Sequence, residues 1–224
     1  MQLGQDGLSS TLNNLDIQAA SLQNQKRVNN EQRELLEKNL ANLKSQNNVN
    51  SSDIDMKITN TKKTLQNTIR NALNLFDQTF GITNPSKVFY SDAYLGTFNE
   101  TGKSTLKSKF PSIKDRNEQL VNMNNETAVV FISEVTDFFS LAAQVIIDSM
   151  PDDRYLPKTQ LDALYRTFTD TANGLLTAKT NFDTLLSSNN TTDNSYDTQI
   201  NQLQSQINSV ELSARAIDDQ IRSL

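Results

Sequence analysis

YDTQINQLQSQINSVELSARAIDDQIRSL, residues 196–224, decides the fold class. Its apolar residues Tyr196, Ile200, Leu203, Ile207, Val210, Ala214, Ile217, Ile221 and Leu224 recur in alternating steps of four and three with no polar interruption. A sustained 3.5-residue repeat specifies a helix with one apolar seam and a left-handed supercoil against a partner. The flanks are Gln, Asn and Ser, so core shape, more than charge, selects the partner. The seam must pack either on the chain's own first helix or on other copies, and of the two we expect it to serve assembly, on other copies of the chain or on other structural proteins.

The same spacing recurs upstream. From Leu161 it continues through Tyr165, Phe168, Ala172, Leu175, Lys179, Phe182 and Leu186. At the other end, Leu8, Leu12, Leu15, Ala19 and Leu22 form a second seam, which resumes at Leu36, Leu40 and Leu43. Between these runs Lys26, Asn29 and Arg33 occupy the register, a polar middle that either fixes register or faces water. A further helical face lines up Ile54, Ile58, Leu65, Ile69, Leu73, Phe76 and Phe80, and Gly81 is placed to end it. Residues 128–147 are apolar on more than one side, which predicts a central, buried helix.

The spacing therefore predicts an all-α fold, an elongated antiparallel helical bundle or coiled coil with one irregular, aromatic-containing insertion. Residues 1–80 read as a long helical hairpin, with NNVNSSD (Asn47–Asp53) as its loop. Residues 81–113 hold Phe89, Tyr90, Tyr94, Phe98 and Phe110 and read as irregular. Residues 114–188 form a central helical hairpin, the polar run 189–195 a linker, and 196–224 a terminal coiled-coil helix.

Composition narrows the chemistry. Of 224 residues, 36% are apolar, with only 6 Gly and 4 Pro. That is less apolar residue than the roughly 45–50% of ordinary globular domains. There is no Cys, His or Trp, so thiolate nucleophiles, zinc–sulfur sites and histidine-based triads have no residues to build them. The net charge of −5 is spread along the chain without a Lys/Arg stripe, so no nucleic-acid partner is expected. MQLGQDGLSS has neither a basic nor an apolar signal region, and no cleaved signal peptide is expected. Glu134 and Asp137 interrupt the most apolar stretch, so no stable membrane span of ~20 apolar residues is expected.

One motif invites an enzymatic reading. GTFNETGKST (Gly96–Thr105) ends as a phosphate-binding loop would. Such a loop needs four residues between its glycines, a buried strand before it and a helix after it. Here five residues separate Gly96 from Gly102, Ser91 and Asp92 interrupt the preceding stretch, and Pro111 should stop the helix. Neither cofactor nor metal is expected. The carboxylate pairs Asp152–Asp153 and Asp218–Asp219 read as solvated surface.

In composition and layout the chain resembles flagellin-type and other exported axial proteins: no Cys or Trp, abundant Asn, Gln and Ser, and helical seams at both ends. The same features fit small structural components of bacteriophage particles. The expectation is a non-enzymatic structural subunit of a large assembly, located in a virion or its tail. The alternatives are an exported filament, tip or translocator subunit, secreted without a cleaved signal, and a cytosolic coiled-coil adaptor or chaperone.

Overall fold

The computed structural model describes residues 2–83 and 94–224, with side chains from residue 7 onward. Of the described residues 89% are helical, in four helices packed against each other, and none is in a strand. They are α1 (Gln2–Phe80), α2 (Glu100–Gln119), α3 (Asn125–Ile147) and α4 (Lys158–Ser223). The aromatic residues Phe89 and Tyr90, and the pair Ser91–Asp92, lie outside the described residues.

Three expected boundaries are corrected. Residues 1–80 are not a hairpin but one helix of 79 residues. The polar run 189–195 is not a linker but part of the 66-residue α4. The physical reason is the same in both places. Leu43, Asn47, Asn50 and Ile54 keep the 4-3-4 step, and Leu186, Asn189, Asp193 and Tyr196 keep the 3-4-3 step. Asn in a helix interior costs only about 0.5–0.7 kcal/mol relative to Ala, and neither run contains Gly or Pro. Packing on either side therefore carries the helix through.

Third, residues 100–113 are not irregular but belong to α2, with Pro111 inside it. An interior proline costs about 3 kcal/mol. It is flanked by Phe110 and Ile113, each 1% exposed, and burial of two such side chains contributes roughly as much again. The first arm of the hairpin expected over 114–188 is interrupted. α2 ends in a 3-10 turn at Leu120–Asn122, Met123 is extended, and Asn124 caps α3 through the Thr127 N–H at 2.8 Å.

The expected end of the first helix holds. Gly81, with φ 61°, ends α1, and its N–H reaches the Asp77 carbonyl at 2.7 Å. Pro157 stands just before α4, and its carbonyl accepts from the N–H groups of Gln160 and Leu161.

The chain divides into two compact units. The first joins Met1–Asp53 to Asn190–Leu224, and the second is Ile54–Asn189. This differs from the expected segmentation, because each long helix contributes to both units. The second unit is a four-helix arrangement around Phe76, Phe80, Phe110, Phe138, Phe139 and Phe168, all at most 2% exposed. Phe76 is its hub, with ring centroids 4.4 Å from Phe80, 5.5 Å from Phe110, 4.7 Å from Phe138 and 6.1 Å from Phe168. α3 is long and apolar enough to cross a membrane by length and composition alone, a test that a buried core helix also passes. Ten of its side chains are buried, all within this unit.

A polar clamp holds the break between α2 and α3 onto α1. Gln66 Nε2 donates to the carbonyls of Asn117 (2.8 Å) and Glu118 (3.0 Å), and Asn117 Nδ2 donates back to Gln66 O at 3.0 Å. Lys62, only 5% exposed, donates from Nζ to Met123 O at 2.6 Å. Burial pushes the Lys62 ammonium below its ordinary pKa of 10.5. The unfolded chain keeps this proton up to about 10.5, so between the lowered value and 10.5 it binds more protons than the folded chain, and stability rises with pH there. Urea midpoints of the wild type and Lys62→Met, measured from neutral pH to 10.5, should show the wild type gaining on the variant as pH rises. A constant difference would refute the buried ammonium.

Candidate functional site

Unit one is an antiparallel pair made by residues 7–53 of α1 and 190–224 of α4. The register is fixed by contacts along its length. Asn50 Nδ2 donates to the Tyr196 hydroxyl at 2.5 Å, and Lys26 Nζ donates to Asp218 Oδ1 at 2.5 Å. Leu43 and Leu203 line one groove, and Leu22 and Leu224 another. Leu40 on α1 and Ile207 on α4 are both buried, at 9% and 4%.

The structure thus brings the two expected seams together. Tyr196, Ile200, Leu203, Val210, Ala214 and Ile221 are half-buried, Ile217 is buried, and Leu224 is exposed. On α1, Leu15, Ala19, Leu22, Leu36 and Leu43 are half-buried, while Leu8 and Leu12 are exposed. Assembly contacts were the expected use of the terminal seam; here it packs on the chain's own α1. The polar middle also finds its role. Lys26 crosses to Asp218 on the facing helix and fixes register, and Arg33 Nε lies 3.4 Å from Glu37 on its own helix.

The Gly-Lys-Ser-Thr stretch is a packing joint in the second unit. Gly102 and Lys103 do lie at a helix N-terminus, as in a phosphate loop. However, the Asn99 side chain already accepts from the Gly102 N–H at 2.9 Å. Lys103 is 7% exposed, and its Nζ turns back to Leu95 O at 3.0 Å and Glu100 Oε1 at 3.1 Å. The preceding turn docks on the end of α3: Phe98 N–H meets Asp148 O at 2.9 Å, and Gly96 N–H meets the Ser149 hydroxyl at 2.7 Å. Gly96 has φ 62°, the left-handed region that favours glycine.

The glycines are there for closeness. A Cβ at Gly102 would stand 2.6 Å from Asn99 Oδ1 and 2.9 Å from Val145 Cγ2. Gly102→Ala should therefore cost about 1–3 kcal/mol by overpacking. Differential scanning calorimetry should register a lower melting temperature, whereas Gly174→Ala, which meets nothing within 4 Å, should not lower it. Sequence reasoning missed the clamp residues Lys62, Gln66 and Asn117. Their signal was faint: Lys62 and Gln66 sit beside the apolar positions Ile58, Leu65 and Ile69 on one face of α1.

The geometry defines a class, an all-α chain with an antiparallel coiled-coil unit and a four-helix unit. In comparisons with protein-family models, curated proteins and solved structures, nothing matches this chain.

Proposed function

We propose that this chain is a non-enzymatic structural subunit of a multi-subunit assembly, of the kind found in bacteriophage virions and tails, and that it resides in the particle. One observation carries the reading. Among the exposed large apolar residues of α1, which also include Leu8, Leu12, Ile17 and Met56, Val28, Leu35 and Val49 are 47%, 59% and 59% exposed. They are spaced by seven and fourteen residues, so they fall on one line along the helix. Scattered exposed apolar residues are ordinary, but an ordered line of them is a surface that a partner covers.

A second reading is an exported filament, tip or translocator subunit. Two observations favour it: the Asn-, Gln- and Ser-rich composition without Cys or Trp, and the apolar length of α3, on which Val130 and Ile147 are 63% and 57% exposed. Mass measurement across a concentration series, with negative-stain imaging, tests the structural reading. Ordered multimers are expected. A chain that stays monomeric at every concentration would count against it.

A further inference from the structure

We propose that the coiled-coil unit docks face to face with the same unit of a second copy of this chain, through its one uncharged side. The proposal rests on the structural reading above and specifies its surface and occupant. The seam assigns the heptad. On α1, position d includes Leu22, Leu36 and Leu43, and position a includes Ala19 and Leu40. On α4, d includes Leu203, Val210 and Ile217, and a includes Ile200 and Ile207. At 100° per residue, positions c, g and d lie side by side on a helix, and a, e, b and f occupy the rest.

Charge follows this division. Residues 7–52 of α1 carry nine Asp, Glu, Lys or Arg, and residues 190–224 of α4 carry seven. Every one of them stands at a, b, e or f; Asp53, at the unit's edge, is the first to stand at g. The g positions are amides or hydroxyls, Gln25, Gln32, Asn39 and Gln46 on α1 and Gln199, Gln206, Ser213 and Gln220 on α4. Grooves between the two helices open on this side. One is lined by Asn39, Gln46, Gln199 and Gln206, another by Gln18 and Gln220, and a third by Gln25, Val28, Ser213 and Ala216.

The outer rim of this side, position c, identifies the occupant. The register sets Val28 level with Ala216, Leu35 level with Ser209, and Val49 level with Ser195. Asn42 stands level with Gln202. Large apolar residues on α1 are thus matched at each level by small ones on α4, and an amide by an amide. A two-fold axis parallel to the helices lays α1 of one copy over α4 of the other at the same level. Each α1 ridge then meets an α4 trough, which is the self-complementarity an isologous contact requires. Amides donate and accept equally, so the g rows pair with themselves without a bare charge. Docking through the opposite side would desolvate charges instead.

Sedimentation equilibrium on the full chain tests this. Leu35→Glu and Ser209→Arg should each weaken self-association at least tenfold, with helicity by circular dichroism unchanged because both positions are exposed. Combined in one chain they should recover most of the loss, since each carboxylate meets a guanidinium of the other copy. Glu34→Lys, on the charged side, should change the dissociation constant less than about twofold. If Glu34→Lys disrupts self-association while Leu35→Glu and Ser209→Arg do not, or if the combined variant is no better than either single one, the proposed face is wrong and the structural reading stands. A wild-type chain that is monomeric throughout overturns both.

Discussion

Phe76→Ala should destabilise the four-helix unit by about 3–5 kcal/mol, the range for truncating a fully buried phenylalanine. Phe76 is 0% exposed and meets rings from every helix: Phe80 on α1, Phe110 on α2, Phe138 on α3 and Phe168 on α4. Removing its ring takes a partner from each, and helices joined through several elements cannot all collapse into one void. Urea unfolding followed by circular dichroism should show the transition of this unit at a clearly lower midpoint. Phe98→Ala is the control, because Phe98 is 75% exposed; substitution there should stay within about 0.5 kcal/mol. Equal effects from the two variants would mean that the aromatic cluster is not the core.

Ile207→Asp should cost the coiled-coil unit about 3–5 kcal/mol at neutral pH. Ile207 is 4% exposed, on the seam of α4, so the new carboxylate would be buried among apolar seam residues. Hydrogen exchange should show residues 190–224 and the facing part of α1 losing protection together. Leu212→Asp, on the same helix at 65% exposure, should leave protection intact. A different result is informative about the seam. If Ile207→Asp keeps full protection within the chain and instead dissolves multimers, the seam packs between copies and its pairing with α1 does not hold in solution.

Much of the fold was legible because helical periodicity is local. The 4-3 spacing of Tyr196 to Ile221 is a property of neighbouring residues, and those positions are all half-buried or buried. Gly81 was readable for the same reason, since backbone conformation acts within a turn. The errors came from treating composition as stronger than register. Asn47, Asn50, Asn189 and Asp193 look like loop residues one at a time. In phase with Leu43, Ile54, Leu186 and Tyr196 they are seam positions, and phase across a polar stretch was the signal to follow. Pro111 misled in the opposite direction, because its local cost is outweighed by the burial of Phe110 and Ile113, which no short window reveals.

The candidate sites divide in the same way. By itself, the sequence determined which residues form each seam, that the chain is all-α, and that charge is confined to one side of residues 7–52 and of residues 190–224, because a helix turns every residue by a fixed angle. Only the tertiary structure decided what each seam meets. The terminal seam could have packed on any helix with a matching stripe, and the choice of α1, antiparallel, rests on Lys26 reaching Asp218 and Asn50 reaching Tyr196. It also decided that Lys103 turns inward to the Leu95 carbonyl. Those pairings join residues far apart in the chain, and their free energy depends on distances that no local spacing encodes.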